Sequence, residues 1–194
     1  MIEKIFEYII IGPPDVGKTS ISNRYLDNVF NNKSYNTIGI DMRSKKLDQI
    51  YNDNIKINIY DTAGQERYFS LTNNFIRNKD CIFLCFSLAN SNSFIECQKY
   101  IEHIKELKKN NALIFLIGTF LDMKDICKNI NFDDIDKLCR ENNFKYIEVS
   151  SKTGEGIREL FNISLNMMIE RKLGTEYKDN FVISNINVAK NKCC

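Results

Sequence analysis

Short apolar runs alternate along the chain with longer stretches in which apolar residues recur every three or four positions. Ile5–Ile11, Cys81–Phe86 and Leu113–Ile117 are apolar almost throughout, as strands buried on both faces of a sheet are. Ile55, Ile57 and Ile59 alternate with Lys56 and Asn58, which predicts a half-exposed strand over Lys56–Tyr60. Another strand is expected near Asp41–Leu47, with Asn52-Asp53-Asn54 as the turn between the two. Tyr146–Val149 reads as the last strand. Helices are expected over Lys18–Leu26, from about Ser93, after Asp133-Asp134 and from Glu155. The second presents Phe94, Cys97, Ile101, Ile104 and Lys108 on one face. The third contains Ile135, Leu138 and Cys139, and the fourth Ile157, Leu160, Phe161, Leu165 and Met168. Strands alternating with helices predict an α/β fold, a six-stranded and mainly parallel sheet with helices on both faces. Ligands of such sheets bind beyond the carboxyl ends of the strands.

Composition narrows the class. A chain of 194 residues holds one well-buried domain and a short extension. The net charge of +2 gives no argument for nucleic-acid binding, and Lys45-Lys46 and Lys108-Lys109 read as solvated faces. No apolar run approaches the ~20 residues of a membrane span. The acidic start, Met1-Ile2-Glu3-Lys4, does not resemble a signal peptide, so a cytosolic protein is expected. Cys81, Cys85, Cys97, Cys127 and Cys139 form no C-x-x-C pair and read as reduced small hydrophobes. His103, the single histidine, sits among charged residues and takes no catalytic role. Helical periodicity ends near Lys172, and residues 172–194, rich in Asn and Lys, read as a flexible tail closing on Cys193-Cys194.

The chemistry concentrates in Gly12-Pro13-Pro14-Asp15-Val16-Gly17-Lys18-Thr19, a G-x-x-x-x-G-K-T phosphate-binding loop. Glycine lets the backbone turn sharply and approach a phosphate chain. Successive N–H groups, from Asp15 through Ser20, then form an anion nest at the start of a helix. Lys18 supplies a cation for the β- and γ-phosphates, and the Thr19 hydroxyl is a hard ligand for Mg²⁺. The apolar run Ile9-Ile10-Ile11 before the loop and the spacing of Ile21, Tyr25 and Leu26 after it give the required strand, loop, helix order.

Further polar stretches fall where a nucleotide pocket needs them: Thr37-Ile38-Gly39, Asp61-Thr62-Ala63-Gly64-Gln65-Glu66, Thr119-Phe120-Leu121-Asp122 and Ser150-Ser151-Lys152. Alone, Thr37 would be a loop hydroxyl, Asp122 a helix cap and the serines a turn. Together they resemble a small GTPase of the Ras superfamily, over residues 4–171. Thr37-Ile38-Gly39-Ile40-Asp41, D-T-A-G-Q-E-R-Y from Asp61, S-K-T-G-E-G-I from Ser151 and the double-cysteine ending resemble the Rab family. Phe83–Leu88 and Gly118-Thr119-x-Leu121-Asp122 lean toward the Rho/Rac family, whose insert helix has no room here.

The resemblance implies a G domain over 1–171 and a hypervariable tail over 172–194. It implies a GTP/GDP switch that hydrolyses GTP slowly with Mg²⁺ held by Thr19, Thr37 and Asp61. Gln65 would orient the attacking water, and Gly64 would contact the γ-phosphate through its N–H. Phe30 would lie over the guanine edge, Asp122 would accept from its N1 and N2 donors, and the Ser151 and Lys152 backbone would meet O6. Effectors, an exchange factor and a GTPase-activating protein would bind the switch loops. A prenyltransferase and an escort or dissociation inhibitor would handle the tail. A lipidated Cys193-Cys194 would then hold a monomer on the cytosolic face of an intracellular membrane.

Departures from the pattern carry expectations of their own. Pro13 and Pro14 offer no N–H to the nest, which bears on hydrolysis rate. Phe120 replaces a lysine that packs over the base, Tyr35 sits one place late, and Met42, Tyr60 and Phe75 stand at three positions of the effector surface. The competing readings are a GTP-binding scaffold without hydrolysis and an ATP-using phosphate-loop enzyme.

Overall fold

The computed structural model describes residues 3–32, 37–50, 53–63, 75–108, 112–126 and 130–173. Among these the order is β1 (Glu3–Ile11), α1 (Lys18–Asp27), β2 (Ile40–Ile50), β3 (Asp53–Thr62), β4 (Cys81–Ser87), α2 (Ser91–Leu107), β5 (Leu113–Thr119), a 3₁₀ turn (Leu121–Ile126), α3 (Phe132–Asn142), β6 (Lys145–Glu148) and α4 (Ile157–Leu173). Six strands form one sheet in the order β2-β3-β1-β4-β5-β6. β2 runs antiparallel to β3, and the other neighbours are parallel. The chain therefore leaves β1 toward β3 on one side and later returns to β4 on the other. The carboxyl end of β1 is the place where strand order reverses and a ligand crevice opens.

Period-two alternation in β1 divides the core. Phe6, Tyr8 and Ile10 point to the face covered by α1 and α4, where they join Ile21, Phe83, Phe115, Leu160 and Phe161. Ile9 and Ile11 point to the other face and join Ile82, Leu84, Phe86, Phe94, Cys97 and Ile135 under α2 and α3. Every residue of β4 and β5 is buried, the burial that their unbroken apolar runs record. Cys81, Cys85, Cys97 and Cys139 are buried, reduced thiols; burial pushes Cys81 and Cys97 well up and Cys85 up to about 12, so these three are inert packing groups. Cys127 lies outside the described residues.

Several sequence expectations are corrected. Ser93 does not start α2: Asn90 caps it by accepting from the Asn92 N–H, while Ser93 is buried with its hydroxyl on the Ser87 and Asn90 carbonyls. Lys108 lies past the end of α2, as its C-cap. Asp133 and Asp134 sit inside the first turn of α3, behind the Asn131 cap, where their charge complements the helix dipole. α4 begins at Ile157 rather than Glu155 and runs to Leu173. β6 begins at Lys145 and stops before Val149, and Asp53-Asn54 belong to β3, not to a turn. Asn58 is 7% exposed rather than solvent-facing, because its amide donates to Glu7 Oε1 at 2.8 Å and accepts from the Ser44 hydroxyl at 2.8 Å. Lys45 is not a free surface cation: it donates to the Tyr25 carbonyl at 2.9 Å and lies 4.4 Å over the Tyr25 ring.

Candidate nucleotide-binding site

β1 ends at Ile11, and the loop 12–17 delivers the chain into α1. Gly12 has φ +143°, and a Cβ there would sit 2.3 Å from the Cys85 carbonyl oxygen, so only glycine lets the loop leave the sheet between β1 and β4. Gly17 is the N-cap of α1 and supplies no side-chain acceptor, and the first turn carries no acid, which leaves that helix end open to an anion. Asp15 adopts a left-handed φ of 58°, a conformation that Asp tolerates better than most residues. Lys18 is buried, and its Nζ donates to the carbonyls of Gly12 at 3.1 Å and Pro13 at 2.6 Å, bracing the loop from inside. Burial pushes the ammonium below the usual lysine range, against the opposing pull of Cys85, Asp61 and Asp15.

Three oxygen-bearing side chains converge beside the loop. Thr19 Oγ1 donates to Asp61 Oδ2 at 2.5 Å, and Thr37 Oγ1 lies 2.9 Å from Thr19 Oγ1 and 3.4 Å from the same carboxylate oxygen. Asp61 is 4% exposed, and its other oxygen, Oδ1, is buried with no partner. Burial raises the Asp61 pKa, while the Thr19 bond and the Lys18 charge work the other way. An orphaned carboxylate oxygen beside two hydroxyls fits Mg²⁺, which takes few protein ligands and completes its shell with phosphate and water. The Ala63 N–H donates to the Gly39 carbonyl at 2.9 Å, tying the Thr37–Gly39 segment to the end of β3. Gly64 and Gln65 lie outside the described residues.

A cavity of about 230 Å³ adjoins the loop. Its lining comes from the start of α1 (Gly17 and Ser20), from the segment after α1 (Phe30 and Asn32), and from Thr119, Phe120, Asp122, Met123, Ser151 and Lys152. Phe120 has φ 58° and turns its ring over the phosphate loop: a Cβ on Gly17 would lie 3.5 Å from its Cε2. The fully buried Ser150 donates its hydroxyl to Asp122 Oδ1 at 2.6 Å, and Lys152 Nζ stands 3.7 Å from Asp122 Oδ2. Thr119 is spent differently, since its hydroxyl donates to the Phe86 carbonyl at 2.8 Å and ties β5 to β4. Val16 is buried in the core and offers the site only its backbone. A larger cleft of about 360 Å³, between α2 and α3, brings together none of these groups.

The profile of the Ras family matches residues 7–170. The chain belongs to the Ras family. Within it the chain is similar to Ras-related protein Rab-4 of Dictyostelium discoideum, 32% identical over 157 residues that cover 81% of this chain and 76% of that protein. It is a Rab-like small GTPase, a GTP-binding switch that hydrolyses its nucleotide. The fold brings Lys18, Thr19, Thr37 and Asp61 of this GTPase into one cradle and Phe30, Phe120, Asp122, Ser151 and Lys152 around one adjoining cavity. Asn32 and Met123 were not singled out by motif, although each stands within two residues of one that was. Arg24, which belongs to no motif, donates to the carbonyls of Ser151 and Lys152 beside this cavity.

Proposed function

We propose that this GTPase is a prenylated, Mg²⁺-dependent switch of vesicle or membrane traffic, with a G domain over 1–171 and a lipid-bearing tail over 172–194. The observation that carries the switch is the Thr37 hydroxyl, 2.9 Å from that of Thr19. A nucleotide switch needs a loop whose place depends on the γ-phosphate and its metal, and Thr37 belongs to the loop that follows α1. The N–H groups from Asp15 to Ser20 and the Lys18 cation bind the phosphates; Thr19, Thr37 and Asp61 hold the metal. When bound, Mg²⁺ supplies neutralisation of charge on the β- and γ-oxygens. The Gly64 N–H meets the γ-phosphate, Gln65 orients water against it, and Asp122 reads the guanine donors. Hydrolysis is then a matter of positioning and electrostatics, completed by an arginine from an activating protein. Gln65→Leu should slow single-turnover GTP hydrolysis by about tenfold to a hundredfold, the cost of a misplaced nucleophile. An unchanged rate would remove Gln65 from the site.

Effectors and an exchange factor meet the switch loops and the surface beside them. There Met42 is 51% and Phe75 37% exposed, with the Tyr60 and Phe75 rings 5.9 Å apart. Lys79 Nζ caps Tyr60 at 3.2 Å from the ring centroid and bonds Glu7, and Met42 and Tyr60 at effector-surface positions give this surface an atypical partner set. Among the described residues no helix is long and apolar enough to cross a membrane. Attachment to the cytosolic face of a membrane rests on Cys193 and Cys194, with a prenyltransferase and an escort or dissociation inhibitor as tail partners. One lipid chain binds marginally and two bind stably, at about 0.8 kcal/mol per buried CH₂. Replacing both cysteines by serine should shift the protein from membrane to cytosolic fractions; undiminished membrane binding would rule out lipidation there.

A further inference from the structure

We infer that Arg24 is the positioning residue of the base pocket, holding its two walls in register so that the site can recognise the purine O6. This rests on the reading that Asp122, Ser151 and Lys152 frame a guanine site. The walls come from distant parts of the chain: the segment after α1, with Phe30 and Asn32, and the loop after β6, with Ser151 and Lys152. The Arg24 guanidinium joins them. Nε donates to the Ser151 carbonyl at 2.6 Å and Nη2 to the Lys152 carbonyl at 2.9 Å. Nη1 donates to Asn28, to its carbonyl at 3.1 Å and its Oδ1 at 3.1 Å. The stem passes under the same loop, since a Cβ on Gly154 would lie 3.9 Å from Arg24 Cδ.

Each contact has a geometric consequence. Asn28 is the left-handed C-cap of α1, with φ 56°, and its N–H donates to the Arg24 carbonyl at 3.1 Å. Held by both main chain and side chain of Arg24, Asn28 sets the direction in which the chain leaves the helix toward Phe30. On the other wall, the Ser151 carbonyl and the Lys152 N–H share a planar trans peptide and point in opposite directions. Gripping that carbonyl from α1 therefore turns the Lys152 N–H away from α1, where it can donate to an acceptor on the base. The planar fork meets the Ser151, Asn28 and Lys152 carbonyls from three separate nitrogens, whereas a lysine ammonium would have to meet all three from a single point on a flexible stem.

The test compares GDP with the diphosphate of 2-aminopurine riboside, which lacks the O6 acceptor and the N1–H, by competition binding; the N1–H share of the preference belongs to Asp122 and stays in every Arg24 variant. Wild type should prefer GDP. In Arg24→Ala that preference should shrink by about tenfold, the worth of one well-made hydrogen bond to the base. Arg24→Lys should lose nearly as much, and because it keeps charge and stem it carries the measurement if the alanine variant does not fold. A merely structural arginine would lower the melting temperature and weaken both nucleotides alike, leaving their ratio unchanged; that result overturns the inference. If wild type itself binds the two equally, the guanine-site reading fails instead.

Discussion

Asp122→Asn should exchange a preference for GTP for a preference for XTP, a change of about a thousandfold in the ratio of affinities. Sites built to hydrogen-bond a ligand reject an analogue that leaves those groups unpaired by factors of this order. Guanine presents N1–H and N2–H donors, which a carboxylate accepts; xanthine presents a carbonyl at the second position, which an amide NH₂ can meet. The structure also says which way the new amide would face. Ser150 donates its hydroxyl to Asp122 Oδ1 at 2.6 Å, so asparagine would keep its oxygen on Ser150 and turn its nitrogen outward in place of Oδ2. Lys152 Nζ, 3.7 Å from that Oδ2, would be repelled, but its side chain is 61% exposed and free to swing into water. Competition of GTP and XTP for the purified variant is the measurement. A ratio equal to that of wild type means that Asp122 does not read the base.

What the sequence made legible follows from how burial writes itself into it. Strands covered on both faces leave continuous apolar runs, so β4 and β5 could be placed within two residues, and the phosphate loop could be placed because a strand and a helix flank it. Helix starts were less legible. Asn90 and Ser93 are both competent caps, and only the fold shows that Ser93 turns inward to the Ser87 carbonyl while Asn90 faces the helix end. Period two placed Asn58 in solvent because its partner Glu7 lies 51 residues away, on the neighbouring strand. The site divides in the same manner. Asp122 stood out by motif, but its support from Ser150, 28 residues on, depends on β5 and β6 lying side by side. Arg24 gave no signal, because a cation in the last turn of a helix ordinarily reads as a complement to the helix dipole. Its bonds to Ser151 and Lys152 span 127 and 128 residues, a separation at which no local pattern operates.

Lys18→Ala should weaken GDP and GTP binding by about a thousandfold, while leaving the nucleotide-free protein little changed in stability. Truncating one partner of a buried, hydrogen-bonded charge pair costs about 2–5 kcal/mol of binding. Here the lysine carries more than a usual share. Pro13 and Pro14 contribute no N–H to the cradle, so fewer backbone donors remain to compensate for the lost cation. Its Nζ also braces the loop through the Gly12 and Pro13 carbonyls, and without it the N–H groups that face the phosphates lose their support. In the free protein two effects offset each other: the Gly12 and Pro13 carbonyls lose a donor, but Lys18 is 5% exposed and burial pushes its ammonium below the usual lysine range, so removing the charge also removes a desolvation cost. Thermal melting with and without GDP separates the two effects, since only the nucleotide-dependent part of the melting temperature should collapse. Lys18→Arg should rescue little, because a guanidinium is too broad for a buried site built around one point charge. Binding of GDP by Lys18→Ala within about fivefold of wild type, less than the loss of a single charged hydrogen bond, would place the phosphates elsewhere.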